Sequence, residues 1–216
     1  MANNTFTTDY DVSLTAKHIA TNLQNYEAAR TGFFTFIVDD LDGIVRADYK
    51  GTLSEPADGD RIMKAQEYLK LNVTKASVPH FSIAPLEYRR GNEQIKFAGV
   101  PSFEAGSITV DDVVGLDTKS ILMAWHALAY DIHTRKGGRM GDWTDQDGVV
   151  HKGYKKTCTL AEYTQDYELV RTWTLYGCWI SDLSEEDFDK ENDGKRQISV
   201  TIQYDRAEME LPRTAQ

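Results

Sequence analysis

The sequence predicts a mainly β fold of the α+β kind: two packed antiparallel sheets forming a sandwich or barrel, with one long flanking α-helix at about 117–134. Three observations predict it. Ile198, Val200, Ile202 and Tyr204 alternate with Gln197, Ser199, Thr201 and Gln203, a two-residue period that places apolar side chains on one face and neutral polar ones on the other. Similar short alternating runs recur along the chain, separated by turn residues at hairpin spacing. Only one stretch carries a strong helical period.

Taken in order, residues 1–30 contain Val12, Ile19 and Leu23 at loosely helical intervals and are read as a short helix or an N-terminal arm. Gly32 precedes FFTFIVDDLDG, a strand closed by an Asp-Gly turn. A polar, turn-rich connection, KGTLSEPADGD, leads to Leu69, Leu71 and Val73, which alternate with Lys70, Asn72 and Thr74 and read as a strand stopped at Val78-Pro79. PLEYRR and EQIKFAG then form a hairpin across Gly91-Asn92, a dipeptide suited to positive φ. SITVDD adds another alternating strand. The helix follows, with Asp117 as N-cap and Ile121, Leu122, Trp125, Leu128, Ala129 and Ile132 on one stripe. The glycine-rich stretch KGGRMGDWTDQDGVVHKGY reads as a flexible surface loop. YKKTCTLAEYT and ELVRTWTLYG make a second hairpin, with Gly177 breaking its second strand. An acidic loop at 182–194 precedes the last strand.

A chain of 216 residues with 41% hydrophobic content suits a single domain over 1–216, burying roughly 70% of its unfolded surface. No apolar run approaches a membrane span, and MANNTFTTDYDVSL lacks the features of a signal peptide, so a cytosolic, membrane-free protein is expected. Net charge is −10, which argues against a protein that grips nucleic acid, because phosphate affinity rests on Lys and Arg. The charge is local: Asp182, Glu185, Glu186, Asp187, Asp189, Glu191 and Asp193 stand against Lys190 alone.

That segment does not have the spacing of a Ca²⁺ loop, since Gly194 follows the acids and no Glu closes them. His126 and His133 have no evident third ligand. Cys158 and Cys178 make no metal spacing or disulfide framework and read as semi-buried reduced thiols. The glycines of 136–153 fit neither GxxxxGK[ST] nor GxGxxG. No GxSxG, HExxH or CxxC is present. The residues therefore point to a non-enzymatic protein without metal or cofactor.

The order AGVPSFEAGSITVDD, a helix carrying Trp125, a hairpin, a strand ending LYGCW, an acidic loop and QISVTIQYD resembles the tail-tube proteins of contractile-tailed phages, over about residues 66–205. Gly99, Phe103, Ile108, Thr109 and Val110 carry the resemblance most closely. Where that family places a proline, this chain has Trp179-Ile180. The resemblance implies a structural virion protein, assembled in the host cytoplasm, that forms sixfold rings stacked into a tube inside a contractile sheath. Its partners would be its own copies, the sheath protein, the tape-measure protein and the baseplate, with double-stranded DNA passing through without tight binding. Under this reading Gln197, Ser199, Thr201 and Gln203 are candidate lumen-facing residues. Glu185, Glu186, Asp187 and Asp189 are candidate subunit or sheath contacts. A type VI secretion ring or a baseplate tube initiator belongs to the same class; a small-ligand-binding β-barrel is the reading from another class.

Overall fold

The computed structural model describes residues 31–41, 66–67, 69–113, 118–187 and 194–211. The expected N-terminal arm, the N-cap Asp117 and Asp189 lie outside them. In chain order the elements are β1 (Phe34–Val38), β2 (Val73–Ala76), β3 (Phe81–Arg90), β4 (Glu93–Phe103), β5 (Gly106–Asp111), α1 (Thr118–Ala129), β6 (Tyr130–Asp131), β7 (Lys136–Gly137), β8 (Trp143–Thr144), β9 (Val150–His151), β10 (Lys156–Tyr163), β11 (Leu169–Glu185), β12 (Gln197–Gln203) and β13 (Arg206–Glu210). The class is as expected, mainly β with antiparallel pairing.

Strand β11 organises the sheet. Its first half pairs with β10 on one edge and β13 on the other, and β10 carries β1 beyond it. Its second half pairs with β12, which is followed by β5 and β2. β12 and β13 together accompany β11 antiparallel over nearly its whole length, interrupted at Tyr204-Asp205, where the Asp205 N–H donates to the Tyr176 carbonyl at 2.9 Å.

Gly177 does not break β11, contrary to the sequence expectation. The strand runs through it by means of a bulge: Cys158 pairs with Leu175 and Lys156 with Cys178, so β11 spends one more residue than β10. Gly177 takes φ +70°, and a Cβ there would stand 2.2 Å from Asp205 Oδ2. Glycine satisfies both demands, and the bulge lets the strand bend from one half-sheet into the other.

The core lies between the two half-sheets and α1. Phe36, Val38, Cys158, Leu160 and Leu175 come from one half, Ile108, Val110, Ile180, Ile198, Val200 and Ile202 from the other, and Ile121, Leu122, Trp125 and Leu128 from the helix. The Trp125 indole N–H donates to the Tyr154 carbonyl at 3.0 Å, satisfying the polar atom of a buried aromatic. The alternation of Ile198, Val200 and Ile202 is realised as written, since all three are buried.

The helix ends earlier than 134. β6 begins at Tyr130, and Asp131 accepts from the His133 backbone N–H at 2.9 Å and from the Thr134 hydroxyl at 2.6 Å. This turn closes the helix and leaves Ile132 exposed. Residues 69–72 are helical rather than extended: Leu69 and Asn72, three apart, are the buried pair while Leu71 is exposed. Asn72 donates from Nδ2 to Thr118 Oγ1 at 2.9 Å. A shared buried hydrogen bond at helical spacing outweighs the strand-like alternation of the segment.

Cys158 and Cys178 are fully buried free thiols. Burial, with a smaller effect of neighbouring Cys178, pushes the Cys158 thiol up, so it stays protonated. The glycine-rich stretch after α1 is tied down rather than loose. Lys152 bridges Asp40 at 2.8 Å and Asp142 at 3.0 Å, and buried Lys156 reaches Asp40 at 3.3 Å. Trp143 has the Arg139 guanidinium 4.2 Å from its ring and His151 stacked on it at 4.3 Å.

Candidate assembly interface

Three features share the second half-sheet and its two ends. The first is a hairpin. Among the described residues β3 and β4 pair only with each other, and every residue of β3 is exposed. The register sets Leu86 opposite Phe97 and Tyr88 opposite Ile95, while Glu87 faces Lys96 and Arg89 faces Gln94. Because faces alternate along a strand, Leu86, Tyr88, Ile95 and Phe97 share one face and Glu87, Arg89, Gln94 and Lys96 the other. The apolar four are 61%, 59%, 41% and 56% exposed. A two-stranded ribbon is marginal in water by itself, and an uncovered patch of this kind marks an interaction surface.

Near the base of the hairpin a register shift falls between Ile83 and Pro85. Gly99 sits there so close to the opposite strand that a Cβ would meet the Ala84 carbonyl oxygen at 2.3 Å. Toward the base, Phe103 packs against Tyr204, with ring centroids 6.0 Å apart, anchoring the ribbon to the core.

The second feature is the polar face of the β11–β12–β5 half-sheet. The predicted residues Gln197, Ser199, Thr201 and Gln203 lie together on β12. Register adds Ser107, Thr109 and Asp111 of β5 and Asp182 and Ser184 of β11. The result is a surface of hydroxyls and amides with few charges. Gln197 donates from Nε2 to Asp111 Oδ1 at 2.9 Å.

The third is the acidic segment, which is only partly a loop: Asp182–Glu185 continue β11. Glu185 is half-buried and already partnered, by Lys119 at 2.8 Å and by the Arg196 guanidinium. These ion pairs offset its charge within the chain. Lys195 pairs with Asp111 at 3.4 Å and Arg196 with Asp112 at 3.4 Å. Glu186 is exposed and accepts from the Gln197 backbone N–H at 3.2 Å, and Asp187 is exposed. Among the described residues no group of three or more His, Cys, Asp or Glu could hold a metal ion, and no helix is long and apolar enough to cross a membrane.

The sequence reading placed the hairpin but missed that it is the uncovered surface. Only the register was readable: with Gly91-Asn92 as the turn, Tyr88 must face Ile95 and Leu86 must face Phe97.

Comparison with known proteins agrees with this architecture. The fold is similar to that of a chain in the sheath-tube complex of an extracellular contractile injection system, PVC, in its extended state: TM-score 0.55, 18% identity, covering 91% of this chain and 97% of that one. A chain of the PVC sheath/tube terminator gives TM-score 0.53 at 19% identity, covering 86% and 98%. One from the anti-feeding prophage baseplate gives 0.52 at 11%, covering 87% and 98%. No curated protein matches the chain. Residues 62–208 match the family described as T4-like virus tail tube protein gp19, and the chain belongs to that family.

Proposed function

We propose that the protein assembles into stacked rings of six copies that form the inner tube of a contractile phage tail, the conduit for double-stranded DNA. The uncovered apolar face of the β3–β4 hairpin supports the reading most directly, because a chain that leaves Leu86, Tyr88, Ile95 and Phe97 in water needs another surface to cover them. Strand edges without a partner among the described residues supply the second requirement. A heterologous contact repeated by rotation closes a ring, and repeated with a rise it makes a tube.

In this reading the face bearing Gln197, Ser199, Thr201 and Gln203 lines the lumen. Hydroxyl and amide groups with scattered carboxylates offer DNA phosphates no cationic foothold. The sheath protein, the tape-measure protein and the baseplate are the proposed partners, and assembly proceeds in the host cytoplasm. No step calls for catalysis, so the protein acts structurally and needs no cofactor.

Negative-stain imaging of the purified protein tests the reading. Rings or tubes with a central channel are expected; particles that remain monomeric at every concentration would refute it. The PVC chains that share the fold favour one second reading, the tube of an injection system. Purified particles with a DNA-filled head would exclude that alternative.

A further inference from the structure

We propose that Cys158 and Cys178 form a modification site, a buried dithiol that a peroxide closes into an intrachain disulfide across β10 and β11. The pairing follows from the bulge at Gly177. Cys158 is aligned with Leu175, and Lys156 with Cys178. Without the extra residue, the register set at Leu175 would place Cys178 opposite Lys155, with its side chain on the face away from Cys158. The bulge moves Cys178 one position along β10 and turns it to the core face. Both thiols are fully buried there, on adjacent strands. The Cys178 thiol donates to the carbonyl of Leu175, the residue aligned with Cys158, at 3.4 Å, and the Cys178 side chain lies within hydrogen-bonding reach of Cys158. These are the two cysteines of the whole chain, far apart in sequence and brought together by one inserted glycine.

Packing alone asks for no more than a small apolar group at each position, whereas two neighbouring thiols on one face have a further chemistry. One thiol loses its proton, and its thiolate attacks a peroxide oxygen. The O–O bond breaks, a sulfenic acid forms, and the departing hydroxide takes up the proton as water. The second thiol then attacks the sulfenic sulfur: the S–S bond forms, the S–O bond breaks, and hydroxide leaves with that thiol's proton as a second water. The pair of sulfurs loses two electrons and one peroxide is reduced to two waters. Burial sets the pace. Cys158 is held protonated in the closed fold, and only the thiolate is nucleophilic, so the pair stays reduced through brief exposure and reacts when the hairpin opens locally. Once closed, the bond ties β10 to β11 at the point where β11 passes from one half-sheet to the other. It fixes the bulge in the folded chain and restricts the unfolded one.

The test uses the full-length folded protein, incubated with hydrogen peroxide and compared with a sample kept in dithiothreitol. Intact mass is expected to fall by two hydrogens with no added oxygen, and peptide mapping to link Cys158 to Cys178. The oxidised chain is expected to unfold at a urea midpoint about 1 M or more above the reduced one, and dithiothreitol to reverse the shift. C158A and C178A are expected to show no rise under peroxide. Mapping of the parent needs no variant and decides the matter even where one of these fails to fold. A folded protein that keeps both thiols under peroxide while the urea-unfolded chain links them overturns the proposal. So does one that gains oxygen on either sulfur instead, or that joins separate copies through them. A linked chain whose midpoint is unchanged or lower overturns it equally. Because the site lies within one chain, these outcomes are read independently of whether the copies form a tube.

Discussion

Replacing Leu86 and Phe97 together by serine separates assembly from folding. The two side chains face each other across the hairpin and are 61% and 56% exposed in the single chain, so their removal takes little from the folded monomer. What is lost is the burial still to be gained on assembly. Full burial of a Leu or Phe side chain contributes about 1.5–3 kcal/mol, and somewhat more than half of that remains unused at each position. The pair is therefore expected to cost about 2–4 kcal/mol per hairpin contact. At about 1.4 kcal/mol per tenfold, affinity falls by roughly thirtyfold to nearly a thousandfold. Sedimentation velocity across a concentration series reads the assembly, and urea unfolding below the assembly threshold reads the monomer. A double variant that assembles like the parent, or whose monomer loses several kcal/mol as a core variant would, would show that the ribbon packs on its own chain.

Gly177→Ala is expected to destabilise the monomer by about 2–3 kcal/mol, from the left-handed backbone and the displaced Asp205 carboxylate; chemical denaturation measures it, and a loss below half a kcal/mol would contradict the bulge argument. Gly99→Ala, by contrast, forces the Ala84 carbonyl away and is expected to abolish assembly while leaving core melting within a few degrees of the parent. Acidification is expected to loosen the segment held by Lys152 and Lys156. Burial tends to raise the Asp40 carboxyl, but hydrogen bonds from both lysines outweigh it and hold it below 3.8. The Gly153 N–H chiefly holds Asp142 below the same value. A carboxyl depressed on folding stabilises above its unfolded pKa and loses that contribution as pH falls through the folded value. The loss therefore comes below about pH 4, and D40N/D142N should flatten that part of the stability profile. An unchanged slope in the double variant would place the acid sensitivity elsewhere.

The alternation of β12 was legible because each half of its pattern has a physical consequence inside one chain: Ile198, Val200 and Ile202 fill the core, and the intervening residues meet solvent. Asn72 and Leu69 were misread for the opposite reason. Their three-residue spacing becomes meaningful only when Thr118, 46 positions away, supplies the buried partner, and a local window cannot contain that. Gly177 looked like a terminator because its bulge depends on Asp205, again remote in sequence. At the candidate interface, composition revealed the acids but not their pairing. Glu185 and Glu186 are neighbours of one type, yet strand geometry turns the first toward Lys119 and Arg196 and leaves the second exposed. Exposure of a hairpin face is least legible of all, since Leu86, Tyr88, Ile95 and Phe97 have the alternation of an ordinary strand covering its own core.

An uncovered apolar ribbon ought to aggregate, and a net charge of −10 opposes association between copies. Like-charged copies repel in most orientations at separations within a Debye length of about 8–10 Å. Neutralising the chain broadly is then expected not to strengthen ordered tubes but to replace them with amorphous material. Turbidity read beside negative-stain images distinguishes ordered tubes from amorphous material, and tubes that persist unchanged in the neutralised chain would refute this role of the charge.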